Sequence, residues 1–234
     1  MKVLVIIPAY NEEESIEKTI NNLKNSNSNV DYVIINDCST DSTKEICRKN
    51  KYNVVNLPVN LGIGGAVQTG YKYAYQGGYD VAIQMDADGQ HDPKYIDEMV
   101  KEIENGNDLV IGSRFLKKDG FQSTWIRRIG INLFSVIIRI FTHQIIRDTT
   151  SGYRAVGKNI IKFFSSNYPV DYPEPETDAW IAKNDFKVKE IAMEMKERDG
   201  GNSSITPIKS IYYAVKVGLA VFLACIVKNK EGKK

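Results

Sequence analysis

The first 115 residues alternate between two hydrophobic periods, and few folds satisfy that alternation. Residues 3–7, 32–35, 54–57, 80–85 and 109–112 are short apolar runs rich in β-branched side chains, as strands buried on both faces are. Between them lie segments of helical spacing: 12–24, with Ile16, Ile20 and Leu23 on one side, then 41–50, then a stretch from the glycines of NLGIGGAVQTG through Tyr75, then one begun by Pro93. This predicts an α/β fold, a mainly parallel sheet flanked by helices. Ligands of such sheets bind at the carboxyl ends of the strands. The polar clusters PAYNEE, NDCSTD, NLGIGG and DADGQ follow the first four strands in turn, which places all four at that edge.

The richest cluster is MDADGQHDP, residues 85–93. An EF-hand loop counted from Asp86 would need glycine at its sixth position and glutamate at its twelfth; the glycine comes at the fourth, and Asp97 stands at the twelfth. A zinc site fails as well, because His91 has no thiolate and no second histidine near it. His91 reads as a turn residue or at most a support behind the ligands. A hard divalent ion, Mg2+ or Mn2+, fits better, held by Asp86 and Asp88 and completed by substrate phosphates and water. Two residues apart at the end of a strand, their side chains would point the same way if strand geometry continued. The rival reading of LGIGGA as a dinucleotide loop is weak, since it follows the third strand and lacks the third glycine. No Walker A lysine appears. Those glycines serve either close approach to a substrate or tight helix–sheet packing.

Beyond residue 120 the pattern changes. Residues 127–146 form one long helical candidate with Arg128, Asn132, Ser135, Arg139 and His143 in a narrow polar stripe and apolar residues elsewhere. Such a helix is deeply buried or lies in a membrane interface. From 205 to 227 only Lys209 and Lys216 are charged, and the last eleven residues of that stretch carry no charge. Eleven helical residues cover about half of a ~30 Å hydrocarbon core, so a peripheral attachment is expected rather than a clean span. Tyr212 and Tyr213 at one end and the tail KNKEGKK at the other suit an interfacial anchor. Packing on a small membrane-protein partner is the second reading, and docking on the core the third. The net charge of +2 gives no global field for nucleic acid, and three scattered cysteines suit a reducing cytosol. The opening MKVLVIIPAYNEEE does not read as a secretory signal.

As an ordered set, VIIPAYNEEESI, NDCSTDST, NLGIGGAVQTG, QMDADGQHDP, GSRF and DTTSGYRA resemble family 2 glycosyltransferases, in particular the branch of dolichol-phosphate mannose synthases and bacterial polyprenyl-phosphate sugar transferases. The resemblance covers about residues 1–165. It implies a GT-A domain over 1–204, with a nucleotide-sugar half to about 115 and an acceptor half after it, followed by a hydrophobic helix and basic tail over 205–234. Carried over, Pro8, Ala9, Tyr10 and Glu12 line the nucleoside pocket with Asp37; Asp86 and Asp88 form the DxD, and Asp86 also touches the donor. Gln90 adds a metal ligand. Arg114 and Arg198 approach the diphosphate, and Arg128 and Arg154 an acceptor phosphate. The implied reaction is an inverting, metal-dependent transfer from a UDP- or GDP-sugar to a polyprenyl phosphate at the cytoplasmic membrane face. A saccharide hydroxyl acceptor is the alternative, and it would need a general base from Glu174, Glu176 or Asp178, with Glu176 the first choice. A non-catalytic nucleotide-binding subunit of a membrane complex is a further alternative. One departure concerns GGN: that branch continues with serine–lysine, and here Ser203–Ser204 follows.

Overall fold

A computed structural model of the chain describes residues 1–26, 29–117, 125–171, 173–195 and 207–226, with only the backbone described at 125–127 and 207–214. The expected strands appear as β1 (Val3–Ala9), β2 (Asp31–Asn36), β3 (Val54–Asn56), β4 (Val81–Gln84) and β5 (Leu109–Ser113). Two short strands that the apolar pattern does not announce complete the sheet, β6 (Arg154–Gly157) and β7 (Val188–Ala192). The order is β3-β2-β1-β4-β6-β5-β7. All pairings are parallel except those of β6, which runs antiparallel to both β4 and β5.

The side-chain alternation of β1 divides the core into two layers. Leu4 and Ile6 join one apolar cluster; Val3, Val5, Ile7 and Ala9 join the other. The second layer is closed by α1 (Ile16–Asn25), α2 (Thr43–Lys49) and α4 (Ile96–Glu104), which follows a single 3-10 turn over Pro93–Tyr95. The first is closed by α3 (Gly62–Gln76), α5 (Trp125–Thr142), α6 (Lys158–Ser166), α7 (Pro173–Lys183) and α8 (Pro207–Ile226). In α1 the buried positions are Ile16, Thr19, Ile20 and Leu23, a single helical face.

Two glycines of the NLGIGGAVQTG stretch serve packing, while Gly62 lines the cleft at the carboxyl edge of the sheet. A Cβ on Gly70 would collide with Ile6 Cγ2, and one on Gly64 with the carbonyl oxygens of Pro169 and Val170. Helix α3 therefore lies tight on β1 and on the chain that follows α6. Backbone carbonyls cannot swing aside as a side chain can, so Gly64→Ala is expected to cost about 1–3 kcal/mol. Urea denaturation measures this, and an unchanged midpoint would mean that the 169–170 loop yields.

The helix expected to reach residue 146 ends at Thr142. His143 is left-handed (φ 60°), and the Gln144 amide turns back to donate to Thr142 Oγ1 at 3.3 Å. Helix α5 is three-sided: Ile131, Phe134 and Ile138 are buried, Arg128, Asn132 and Arg139 are exposed, and Ile129, Leu133, Val136 and Ile140 form an exposed apolar row. Helix α8 packs on α5 and α7 through Val217, Val221 and Cys225, and leaves Val215, Leu219, Phe222 and Ile226 exposed at the same spacing. Phe141 and Phe222 meet edge to face at 5.5 Å. Among the described residues no helix is long and apolar enough to cross a membrane.

Candidate active site

The carboxyl ends of β1, β2 and β4 open into one cleft of about 1060 Å3. Pro8, Ala9, Tyr10 and Glu12 line it from β1, Asp37 from β2, and Asp86 and Asp88 from the turn after β4. The loops after β1 and β2 are tied together. The Asn11 amide donates to Ser39 Oγ at 3.0 Å, and the Thr40 amide to Asn11 Oδ1 at 2.8 Å. Asn11 and Cys38 both hold left-handed backbone there (φ 56° and 58°), a cost of about 1–3 kcal/mol each that only an interlocked pair of loops sustains. Asp37 is buried; its Oδ1 accepts from the Leu61 amide at 2.7 Å, which joins the start of α3 to the cleft wall.

Strand β4 ends at Gln84, so strand alternation does not place Asp86 and Asp88. A turn does, with Gly89 left-handed at φ 79°. Three contacts fix it. Thr19 Oγ1 of α1 donates to the Ala87 carbonyl at 2.8 Å, the Gln90 amide donates to Asp88 Oδ1 at 3.1 Å, and the Asp86 amide donates to His91 Nδ1 at 2.9 Å. His91 is thus a support for the metal-capable turn. Its ring stacks on Tyr153 at 4.6 Å, and Tyr153 in turn donates to the Asp92 carbonyl at 3.0 Å. Burial pushes the imidazole down to about 4, so it stays neutral and keeps Nδ1 as an acceptor. The sign follows from linkage. As pH falls from about 6.5 to about 4, the unfolded chain takes up a proton that the folded one refuses, and stability drains away through that window. His91→Phe is expected to flatten this slope in the metal-free protein. It should also cost about 1–3 kcal/mol for the unmet Asp86 amide, read by denaturation at several pH values.

Asp86 and Asp88 suit a hard cation that takes one or two protein carboxylates and fills its remaining positions from phosphate and water. Among the described residues no group of three or more His, Cys, Asp or Glu gathers to hold a metal unaided. Gln90, expected as a third ligand, lies outside the cleft lining.

The arginines differ from expectation. Arg114 does not line the cleft: Nε and Nη2 grip buried Asp148 at 2.8 and 2.6 Å, and Nη2 also reaches Thr150 Oγ1 at 2.8 Å. A carboxylate that sequence spacing does not reveal has neutralised it. Arg154 is fully buried and cannot meet an acceptor phosphate; its partners are Asp178, Thr177 and the Ser151 carbonyl. Arg128 is exposed at the start of α5, with its guanidinium carbon 5.0 Å from the Phe115 ring centre, and Arg114 lies 5.3 Å from the same ring. Arg198 lies outside the described residues.

The three acidic candidates of PEPETD separate by helical rotation. Glu174 and Asp178, four apart, share a face of α7, and Glu176 points elsewhere. Glu176 lines a second cavity of about 340 Å3 against Tyr168 and Lys216 of α8. Asp178 is buried against Arg154. Glu174 alone lines the large cleft, together with Gln84, Asp41 and Asn60, which the sequence did not single out. Burial pushes its carboxyl up, while Arg154 and a side-chain hydrogen bond from Gln84 pull it back toward ionisation.

A mainly parallel sheet with an antiparallel insertion, an interlocked cleft at its carboxyl edge and a paired-aspartate turn give the chain a GT-A-like fold. The fold is shared with glucosyl-3-phosphoglycerate synthase from Mycobacterium tuberculosis, solved with Mn2+, UDP-glucose and phosphoglyceric acid: TM-score 0.72, 16% identity, 98% of this chain and 81% of that one covered. The chain belongs to glycosyl transferase family 2, whose profile matches residues 4–164. Its relatives include the UDP-N-acetylglucosamine–dolichyl-phosphate N-acetylglucosaminyltransferase of Methanococcus voltae, 31% identical over 94% of this chain and 91% of that one. Another is the undecaprenyl-phosphate mannosyltransferase of Micrococcus luteus, 29% identical over 88% of each. The protein is a glycosyltransferase of the hexosyl-transferring kind.

Proposed function

We propose that the protein moves a sugar, with inversion, from a UDP- or GDP-sugar to a polyprenyl phosphate at the cytoplasmic face of a membrane. The observation that carries this reading is the single cleft that joins a nucleoside-sized wall (Pro8, Ala9, Tyr10, Glu12, Asp37) to the Asp86–Asp88 turn. The wall would take base and ribose, and the turn would hold Mg2+ or Mn2+ against the diphosphate. Bound there, the ion would neutralise charge that builds on the leaving diphosphate. An acceptor phosphate oxygen attacks the anomeric carbon opposite the diphosphate, and the carbon–oxygen bond to the diphosphate breaks. An ionised phosphate needs no general base; Asp178 is locked to Arg154 and Glu176 faces another cavity, so of the three acidic candidates Glu174 alone could serve a hydroxyl acceptor. The named relatives that use lipid phosphates support the acceptor class.

The exposed apolar rows of α5 and α8 would rest on the bilayer, with Arg128 and Arg139 beside them to meet lipid phosphate. The test is a donor–acceptor matrix: purified protein, Mn2+ or Mg2+, UDP- and GDP-sugars, and polyprenyl phosphate against free glycans. Transfer to the lipid phosphate is expected. Transfer to a glycan with none to lipid would overturn the acceptor, and nucleotide-sugar binding without any transfer would favour a non-catalytic subunit.

A further inference from the structure

The cleft ends on a carboxylate that neither the metal nor the nucleoside accounts for. Glu174 lines it beside Gln84 and Asp86, and Gly152 backs that corner so tightly that a Cβ there would stand 3.1 Å from Gln84 Nε2 and 3.2 Å from Asp86 Oδ2. Directly beneath lies Arg154, whose guanidinium is committed on every side. Nε and Nη2 donate to the Ser151 carbonyl at 3.1 and 2.7 Å; Nη1 donates to Thr177 Oγ1 at 3.1 Å, to Asp178 Oδ1 at 3.0 Å and toward the Glu174 carbonyl at 3.5 Å. A buried cation under the first turn of a helix opposes the helix dipole and costs desolvation, so stability alone is a poor reason for it. What it does accomplish is geometric. It ties the start of α7 to the Ser151–Arg154 segment, and both flank the Asp86 corner.

We propose that Glu174 is the group that recognises the hydroxyls of the transferred sugar, and that Arg154 is the positioning residue that holds it there. This rests on the nucleotide-sugar reading above. With the diphosphate at Asp86 and Asp88, the sugar is the part of the donor that reaches Glu174. A half-buried carboxylate accepts two O–H donors and repels a second anion. The sugar class is therefore a neutral hexose with adjacent free hydroxyls, and a uronate is rejected.

Calorimetry with Mn2+ and UDP, UDP-glucose, UDP-glucuronate, GDP and GDP-mannose tests this by the increment in affinity that the sugar adds to the bare diphosphate. Wild-type protein is expected to show a favourable increment for a neutral sugar and none for the uronate. Glu174→Gln should lose about tenfold of that increment, with affinity for the bare diphosphate kept. Arg154→Lys, which retains charge without the fork, should lose it likewise. Thr177→Val, which removes one acceptor of Arg154, should lose it in part, and it serves if Arg154→Lys does not fold. Equal increments in wild type and Glu174→Gln overturn the sugar role, and a full increment in Arg154→Lys or Thr177→Val overturns the positioning role. Loss of bare diphosphate in proportion to sugar nucleotide shows a merely structural effect and overturns both. Wild-type protein that binds no nucleotide fails the donor reading itself.

Discussion

Asp88→Asn lowers kcat for sugar transfer by about 10²- to 10³-fold, the loss expected when one preorganised charge facing a developing anion is removed. The substitution is nearly isosteric, and an amide oxygen can still accept from the Gln90 backbone as Asp88 Oδ1 does at 3.1 Å. Asp88 is buried under the cleft, so a larger change would confound folding with chemistry. The thermal midpoint should therefore stay close to wild type while the Mn2+ concentration needed for half-maximal rate rises. Saturating-substrate kinetics with a Mn2+ titration separates the two. A kcat within about threefold of wild type at saturating metal would remove Asp88 from the metal site.

The second large effect is on stability. Arg154→Met leaves Asp178 without a counter-charge at a position with no exposure, and such a loss costs about 3–5 kcal/mol. The cost is bounded because burial already pushes the Asp178 carboxyl up, and the orphaned acid escapes by taking a proton. Part of the lost stability should accordingly return as pH is lowered. The double variant Arg154→Met, Asp178→Leu should regain most of it, since an apolar pair of similar volume replaces the ions. Urea denaturation of both variants at two pH values checks this, and a single-variant cost below about 1 kcal/mol would contradict the pairing described.

The two arginines also mark the limit of what the chain discloses before it folds. Strands β1 to β5 are legible because each is an apolar run bounded by turn residues. Strand β6 begins with a charged residue and spans only Arg154–Gly157, and β7, VKEIA, carries two consecutive charges at the sheet margin. Neither has a pattern apart from its neighbours. The clusters that face the cleft follow their strands directly, so the cleft wall and the Asp86–Asp88 turn could be read in order. An arginine gives no such sign: whether it meets a ligand or a carboxylate depends on residues 34 positions away for Arg114 and 24 for Arg154. Sequence favoured Glu176 among the three acids; the start of α7 at Pro173 turns Glu174 to the cleft instead.

The reversed strand has a consequence for how the protein is made. Among the described residues β5 pairs with β6 and β7 alone, and β4 has β1 alone until β6 arrives. On a nascent chain, residues 1–117 therefore hold a sheet that stops at β4, with β5 unpaired and the Asp86 turn braced from one side. Contacts across such sequence separations are slow to form. Until the ribosome has delivered the segment through Asp178, the cleft has neither its floor nor its last carboxylate. The N-terminal half of the sheet is thus completed by the second half of the chain, and a chain truncated between them should be a client for chaperones rather than a smaller enzyme.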